Sequence, residues 1–167
     1  MSITRGLDPY HRSLAGTLLA AREAVMAPIR PVLREAGVTE QQWRVLRVLL
    51  GEGAMDISQM ATAAMLHQPS VTRILRELGS RGLITREADP DDGRRAIATI
   101  TPRGAALVED VGRRTLLILD QYSARYGKDR LGALLDELRA LTEAIGTPGG
   151  LPVEDGLSSG VENAEIV

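Results

Sequence analysis

Residues 56–101, DISQMATAAMLHQPSVTRILRELGSRGLITREADPDDGRRAIATIT, carry the stretch that decides the fold. Asp56 stands where a helix cap belongs, and Ile57, Met60, Ala61 and Ala64 follow at i, i+3, i+4 and i+7. Pro69 then sits at a plausible first helical position. Behind it Val71, Ile74, Leu75 and Leu78 share one face, and Gly82 is a C-terminal stop. Past that glycine the pattern changes. Leu83–Glu87 and Ala96–Ile100 read as two short strands, and the loop 88–95 between them holds Pro90, Gly93 and many charges, which predicts a β-hairpin with a long tip.

The flanks extend this core on both sides. Thr39 and Gln42 have the spacing of a capping box, opening a helix over about Glu40–Leu50 that Gly51 and Gly53 close. Before it, residues 9–35 carry Leu14, Leu18, Ala21, Val25 and Ile29 at helical spacing, with Pro28 and Pro31 expected to kink or break the helix. After the hairpin, Thr101-Pro102 is a cap followed by proline at the first position. A long helix to about Tyr126 is expected there, interrupted by Gly127. A last helix then carries Leu131, Leu134, Leu135, Leu138, Leu141 and Ile145. Residues 147–167 are rich in Gly, Pro and acids without sustained periodicity and read as an irregular tail.

The order helix, short helix, turn, helix, hairpin is that of a winged helix-turn-helix. The expected fold class is mainly α with a small β-hairpin wing, the winged helix-turn-helix spanning 39–101. The helices of 8–35 and 102–146 contribute nothing to a three-helix module, and their apolar faces suit a homodimer interface. Two symmetry-related modules would address two half-sites of a pseudo-palindrome in double-stranded operator DNA.

Composition narrows the function classes. Without cysteine the chain has no disulfide, thiolate metal site or thiol redox centre, and His11 and His67 show no metal-ligand spacing. No nucleophile constellation or phosphate loop is evident, so neither catalytic residues nor a cofactor are expected. The N-terminus lacks the pattern of a signal peptide, and no run reaches the length of a membrane span, which makes the cytoplasm the expected location. The net charge of −2 argues at first sight against nucleic acid. Four acids and no base lie in 147–167, however, and without that tail the remainder carries +2.

DNA-contacting candidates follow from the geometry of a helix in the major groove: Gln68, Ser70, Thr72, Arg73 and Arg76 lie off the apolar face. Arg94 and Arg95 at the wing suit the negative potential of a narrow minor groove, one of them braced by a neighbouring aspartate. The bland alternative is that these arginines are ordinary solvated side chains. Trp43, the only Trp, reads either as core filler or as the wall of an effector pocket. Arg22 reads either as an exposed cation or as a fork for a carboxylate ligand.

At these residues the chain resembles the MarR family. The wing pattern stands here as Asp92-Gly93-Arg94, Ile100-Thr101 and Gly104, with Ile100 in place of the usual Leu, and PSVTRILRELGSRGLITRE looks like the family's recognition helix and first wing strand. The stretch LLAAREAVMAPIRPVLREAGVTEQQWRVLRVL, with PSVTRILREL and DDGRR, is similar to the HpaR-type branch, regulators of homoprotocatechuate degradation. That resemblance covers about residues 14–145. It implies a repressor released by a small aromatic carboxylate bound between the dimer helices and the DNA-binding module. Two other readings stay open: a DNA-binding regulator without small-molecule control, and a winged-helix module that binds protein.

Overall fold

A computed structural model describes residues 9–89 and 95–146 of the chain. The expected tail 147–167 and the wing tip 90–94, which includes Arg94, lie outside the described residues. By its internal contacts the chain divides into two units, residues 1–120 and 121–167.

The first unit opens with a single 3-10 turn, Tyr10–Arg12, and α1, Leu14–Met26, whose cap Ser13 accepts the Gly16 amide. The long first helix expected over 9–35 is thus two helices, α1 and α2 (Ile29–Glu35), broken at Ala27-Pro28. Pro31 does not kink α2. It occupies the first turn, where a helical amide has no intrahelical partner to lose. Helix α3, Glu40–Glu52, starts on the Thr39/Gln42 capping box, both bonds of which form. Helix α4, Ile57–Ala63, starts on a second one, Asp56/Gln59. Helix α5, Gln68–Ser80, begins one residue earlier than expected, so Pro69 is its second residue, and His67 caps it without a side-chain bond.

Val71, Ile74, Leu75 and Leu78 of α5 are buried against α3, α4 and the hairpin. Withdrawing such side chains from water stabilises by roughly 1.5–3 kcal/mol each. They join Leu33, Val45, Leu46, Leu49 and Met60 in one core. The helix closes on a Schellman motif: Gly82 at φ +67 donates to Gly79 O, and Leu83 donates to Leu78 O. This capping bond takes the Leu83 amide out of the hairpin. The strands are therefore β1, Ile84–Ala88, one residue later than the expected 83–87, and β2, Ala96–Ile100, as expected. They pair antiparallel from Ile84↔Ile100 to Ala88↔Ala96. Met55 adds a bridge to Ala98 on the other side of β2, giving the wing a third backbone partner just before α4.

Helix α6, Pro102–Tyr126, is tied to the end of α5 through its first turn. The Thr101 hydroxyl donates to Gly82 O and accepts the Gly104 amide. A Cβ on Gly104 would lie 2.1 Å from Leu83 O, so only glycine allows the helix to sit this close. In the second unit, Gly127 at φ +96 separates the end of α6 from α7, Lys128–Ile145, and the Arg130 guanidinium stacks 4.5 Å from the Tyr126 ring centroid. No residue of α7 is buried. Among the described residues no helix is long and apolar enough to cross a membrane.

Candidate nucleic-acid interface and effector cleft

The polar arc of α5 has two edges. Gln68, Thr72 and Arg76, spaced by four, form one of them. Gln68 and Thr72 line a shallow recess together with Asp56, Ser58, Arg95 and Ala96, which brings the hairpin base beside the start of α5. Gln68 Nε2 reaches Ser58 Oγ at 3.4 Å. Thr72 donates back to Gln68 O at 3.0 Å and is partly exposed. Arg76 is exposed and makes no hydrogen bond or ion pair among the described residues.

The other edge carries Ser70 and Arg73. Both line a recess shared with the first turn of α3 and with Met65 and His67 of the turn before α5. Arg73 Nη1 donates to Glu77 Oε1 at 2.9 Å. Gln42, buried in α3, donates to the other oxygen, Glu77 Oε2, at 2.9 Å. The Arg73 bond foremost, then the Gln42 bond, hold the Glu77 carboxyl below its usual range.

Arg95 pairs with Asp56, the α4 cap, at 2.8 Å, while its carbonyl accepts the Asp89 amide across the hairpin. Arg94 lies outside the described residues. Gln68, Thr72 and Arg95 thus meet at one recess, Ser70 and Arg73 line another beside the first turn of α3, and Arg76 stands exposed.

A second feature lies around α3. Arg22, Val25, Met26 and Ile29, with Trp43, Arg44, Arg47 and Val48 of α3 and Thr115 and Leu119 of α6, line a cleft of about 540 Å³. Arg22 and Trp43 therefore meet at one cavity. Trp43 is 8% exposed, so it is core and wall at once. Arg22 is not an open fork. It donates to Glu23 at 2.7 Å and Glu40 at 2.5 Å, and Arg30 donates to the same two carboxylates at 2.7 and 2.5 Å. The four close a ring of alternating charge at the α1–α2 break. The Arg30 hydrogen bond is the main cause holding the Glu40 carboxyl below its usual range. Arg44 donates to Ala64 O at 3.0 Å.

The lining arginine with neither a hydrogen bond nor an ion pair among the described residues is Arg47, whose guanidinium lies 6.0 Å from the Trp43 ring centroid. Sequence reading missed it. Its position four residues after Trp43, hence on the same helical face, was the available signal.

The MarR family profile matches residues 38–96, from the approach to α3 through the first residue of β2. Over 149 residues the chain is 34% identical to the HTH-type transcriptional regulator FarR of Neisseria gonorrhoeae, covering 89% of this chain and 96% of that one. The chain belongs to the MarR family. Another relative in this MarR comparison is the homoprotocatechuate degradative operon repressor of Escherichia coli, 34% identical over 78% of this chain and 90% of its own length. Among solved structures, NadR in complex with 4-hydroxyphenylacetate superposes with a TM-score of 0.71 at 34% identity, over 81% of this chain and 96% of that one. The resemblance to the MarR family and its homoprotocatechuate branch read from the sequence is thereby supported by similarity over 78–89% of the chain, and the winged-helix fold by structural similarity. The relatives are named as transcriptional regulators, and MarR membership makes this chain one of them.

Proposed function

We propose that this chain is a repressor that binds a pseudo-palindromic operator as a homodimer and is released by a small aromatic acid. The observation that carries DNA binding is the polar arc of α5. Four buried apolar residues fix its back to the module, while Gln68, Ser70, Thr72, Arg73 and Arg76 stand off the core, with Gln68 and Thr72 next to the hairpin base. A helix so presented fits the major groove, and arginine, glutamine and hydroxyl side chains are those that pair with base edges. Arg94 and Arg95 put further cations on the wing.

Dimerisation is supported by the apolar residues left in solvent. On α1 these are Leu14, Leu18, Leu19 and Val25; on α6 they are Leu116, Leu117 and Leu119. The helices of 8–35 and 102–146 would bury them against a second copy and set the spacing of two α5 helices.

The effector reading rests on the α3 cleft. It has a flat apolar wall in Trp43 and cations at Arg22, Arg44 and Arg47. Arg47 is the cation best placed for a ligand carboxylate, since Arg22 is already engaged by Glu23 and Glu40. The ligand in the NadR complex is an aromatic acid, and another relative is a repressor of an aromatic-acid degradation operon, which supports this chemistry here. Such a ligand acts only by binding one dimer conformation better than the other. Lowering operator affinity tenfold needs about 1.4 kcal/mol of coupling. The test is a gel shift on the gene's own upstream DNA with 4-hydroxyphenylacetate, benzoates and cinnamates added. Release by one of them supports the whole reading. A shift unaffected by all of them removes the effector and leaves the DNA-binding part.

A further inference from the structure

Arg73 and Glu77 sit four residues apart on an exposed helix face, where such a pair usually adds little and holds neither side chain in place. This pair differs because Glu77 is held from behind. Gln42 is buried, and both polar atoms of its side chain are engaged. Its Oε1 accepts the Thr39 amide at 3.1 Å as part of the α3 capping box, and its Nε2 donates to Glu77 Oε2 at 2.9 Å. The carboxylate of Glu77 is therefore anchored to the first turn of α3 by one oxygen and offers the other to Arg73 Nη1. The series Thr39–Gln42–Glu77–Arg73 runs without a gap from an exposed helix cap, through buried Gln42, to a guanidinium that is more than half exposed.

The geometry has two consequences for Arg73. Among the described residues only Nη1 is taken, which leaves the Nε–Nη2 edge of the guanidinium to form a two-bond fork. The charge is also matched by a fixed carboxylate, and a neutralised arginine offers little to the phosphate backbone, whose attraction for free cations supplies most non-specific affinity. A base edge in the major groove is different. Guanine O6 and N7 reward a bidentate donor that is already oriented.

We propose that Glu77, anchored by Gln42, is a specificity-determining residue that does not touch DNA. It keeps Arg73 from acting as a general phosphate cation and presents it as a base reader. This rests on the reading that α5 enters the major groove.

The test is a double-mutant cycle of wild type, Arg73→Ala, Glu77→Gln and the double variant. Each is titrated over a range of salt on the footprinted operator and on a scrambled duplex of equal length. Glu77→Gln is expected to raise affinity for scrambled DNA and to steepen its log K against log salt slope by about 0.9, one phosphate contact. The operator-over-scrambled ratio should then fall by about fivefold or more, the lower end of what one bidentate base contact contributes. In the Arg73→Ala background the same change should have no effect on either duplex.

A ratio unchanged within experimental error on Glu77→Gln overturns the proposal. So does an equal change with Arg73 absent, because Glu77 would then act by its own charge. If Arg73→Ala weakens operator binding while Glu77→Gln is silent, the proposal alone fails. If neither variant alters operator binding, the docking of α5 fails with it.

Discussion

Arg95, at the base of the wing, forms an ion pair of 2.8 Å with Asp56, the residue that caps α4. The two are 39 positions apart in the chain, and the aspartate is nearly buried. Its Oδ1 accepts the Gln59 amide while its Oδ2 faces the arginine, so one carboxylate starts the short helix and holds the hairpin against it. The bridge between Met55 and Ala98 closes the same corner through the backbone. The position of the wing beside α5 is thus set by a charge and two backbone bonds at its base.

That double use makes Asp56 a stability residue. Asp56→Ala is expected to cost about 1–2 kcal/mol, the loss of a cap at the upper end of its range because an ion pair goes with it. Arg95→Ala, which leaves the cap intact and removes a half-exposed partner, should cost under about 1 kcal/mol. Urea unfolding of both variants checks the order, and an Arg95 effect as large as that of Asp56 would contradict it.

The same pairing separates the two wing arginines. With Arg95 engaged by Asp56, Arg94 is expected to carry the larger share of wing binding to DNA. Replacing both by Ala should lower the slope of log K against log salt, with Arg94→Ala alone giving most of the decrease, about 0.9 for one phosphate contact. An unchanged slope in the double variant would mean that the wing does not meet phosphate.

Arg73→Ala is expected to weaken operator binding by about 1–3 kcal/mol while leaving scrambled DNA nearly unaffected, the signature of a lost base contact. Paired titrations on the two duplexes decide it. An equal loss on both would assign Arg73 to the backbone.

In the α3 cleft, an aromatic acid should change Trp43 fluorescence on binding, and Arg47→Ala should weaken that binding about tenfold or more, as expected for a hydrogen bond to a charged group. Arg22→Ala should act mainly through loss of its links to Glu23 and Glu40. Fluorescence titration of the three proteins gives the comparison. Equal affinity for wild type and Arg47→Ala would remove Arg47 from the ligand site.

Most of the fold was legible because its signals are local. The Val71/Ile74/Leu75/Leu78 face repeats at helical spacing, Thr39 and Gln42 lie three apart, and Gly82 stands where a left-handed residue must end α5. The misreadings have local causes too. Pro31 looked like a break because nothing in the sequence says that a new helix starts two residues before it. Leu83 looked like strand because its capping bond to Leu78 is invisible in a hydropathy pattern. The site was legible as residue types on faces, and much less as partnerships. Asp56–Arg95, Gln42–Glu77 and the ring of Arg22, Glu23, Arg30 and Glu40 join elements that only the fold brings together. Arg22, which read either as an exposed cation or as a fork for a carboxylate, is engaged by Glu23 and Glu40, while Arg47, on the same helical face as Trp43, went unnoticed.

Recognition of operator DNA by a pair of α5 helices is tested by footprinting and gel-shift titration of the purified protein on the DNA upstream of its own gene, with excess scrambled duplex as competitor. A protected pseudo-palindrome bound by two protomers is expected, with half-sites about one helical turn apart and a Kd of about 10 nM or tighter at physiological salt. Binding no tighter than about 1 µM and equal on scrambled DNA would be non-specific. That result, or protection by a single protomer without two-fold symmetry, would rule such recognition out.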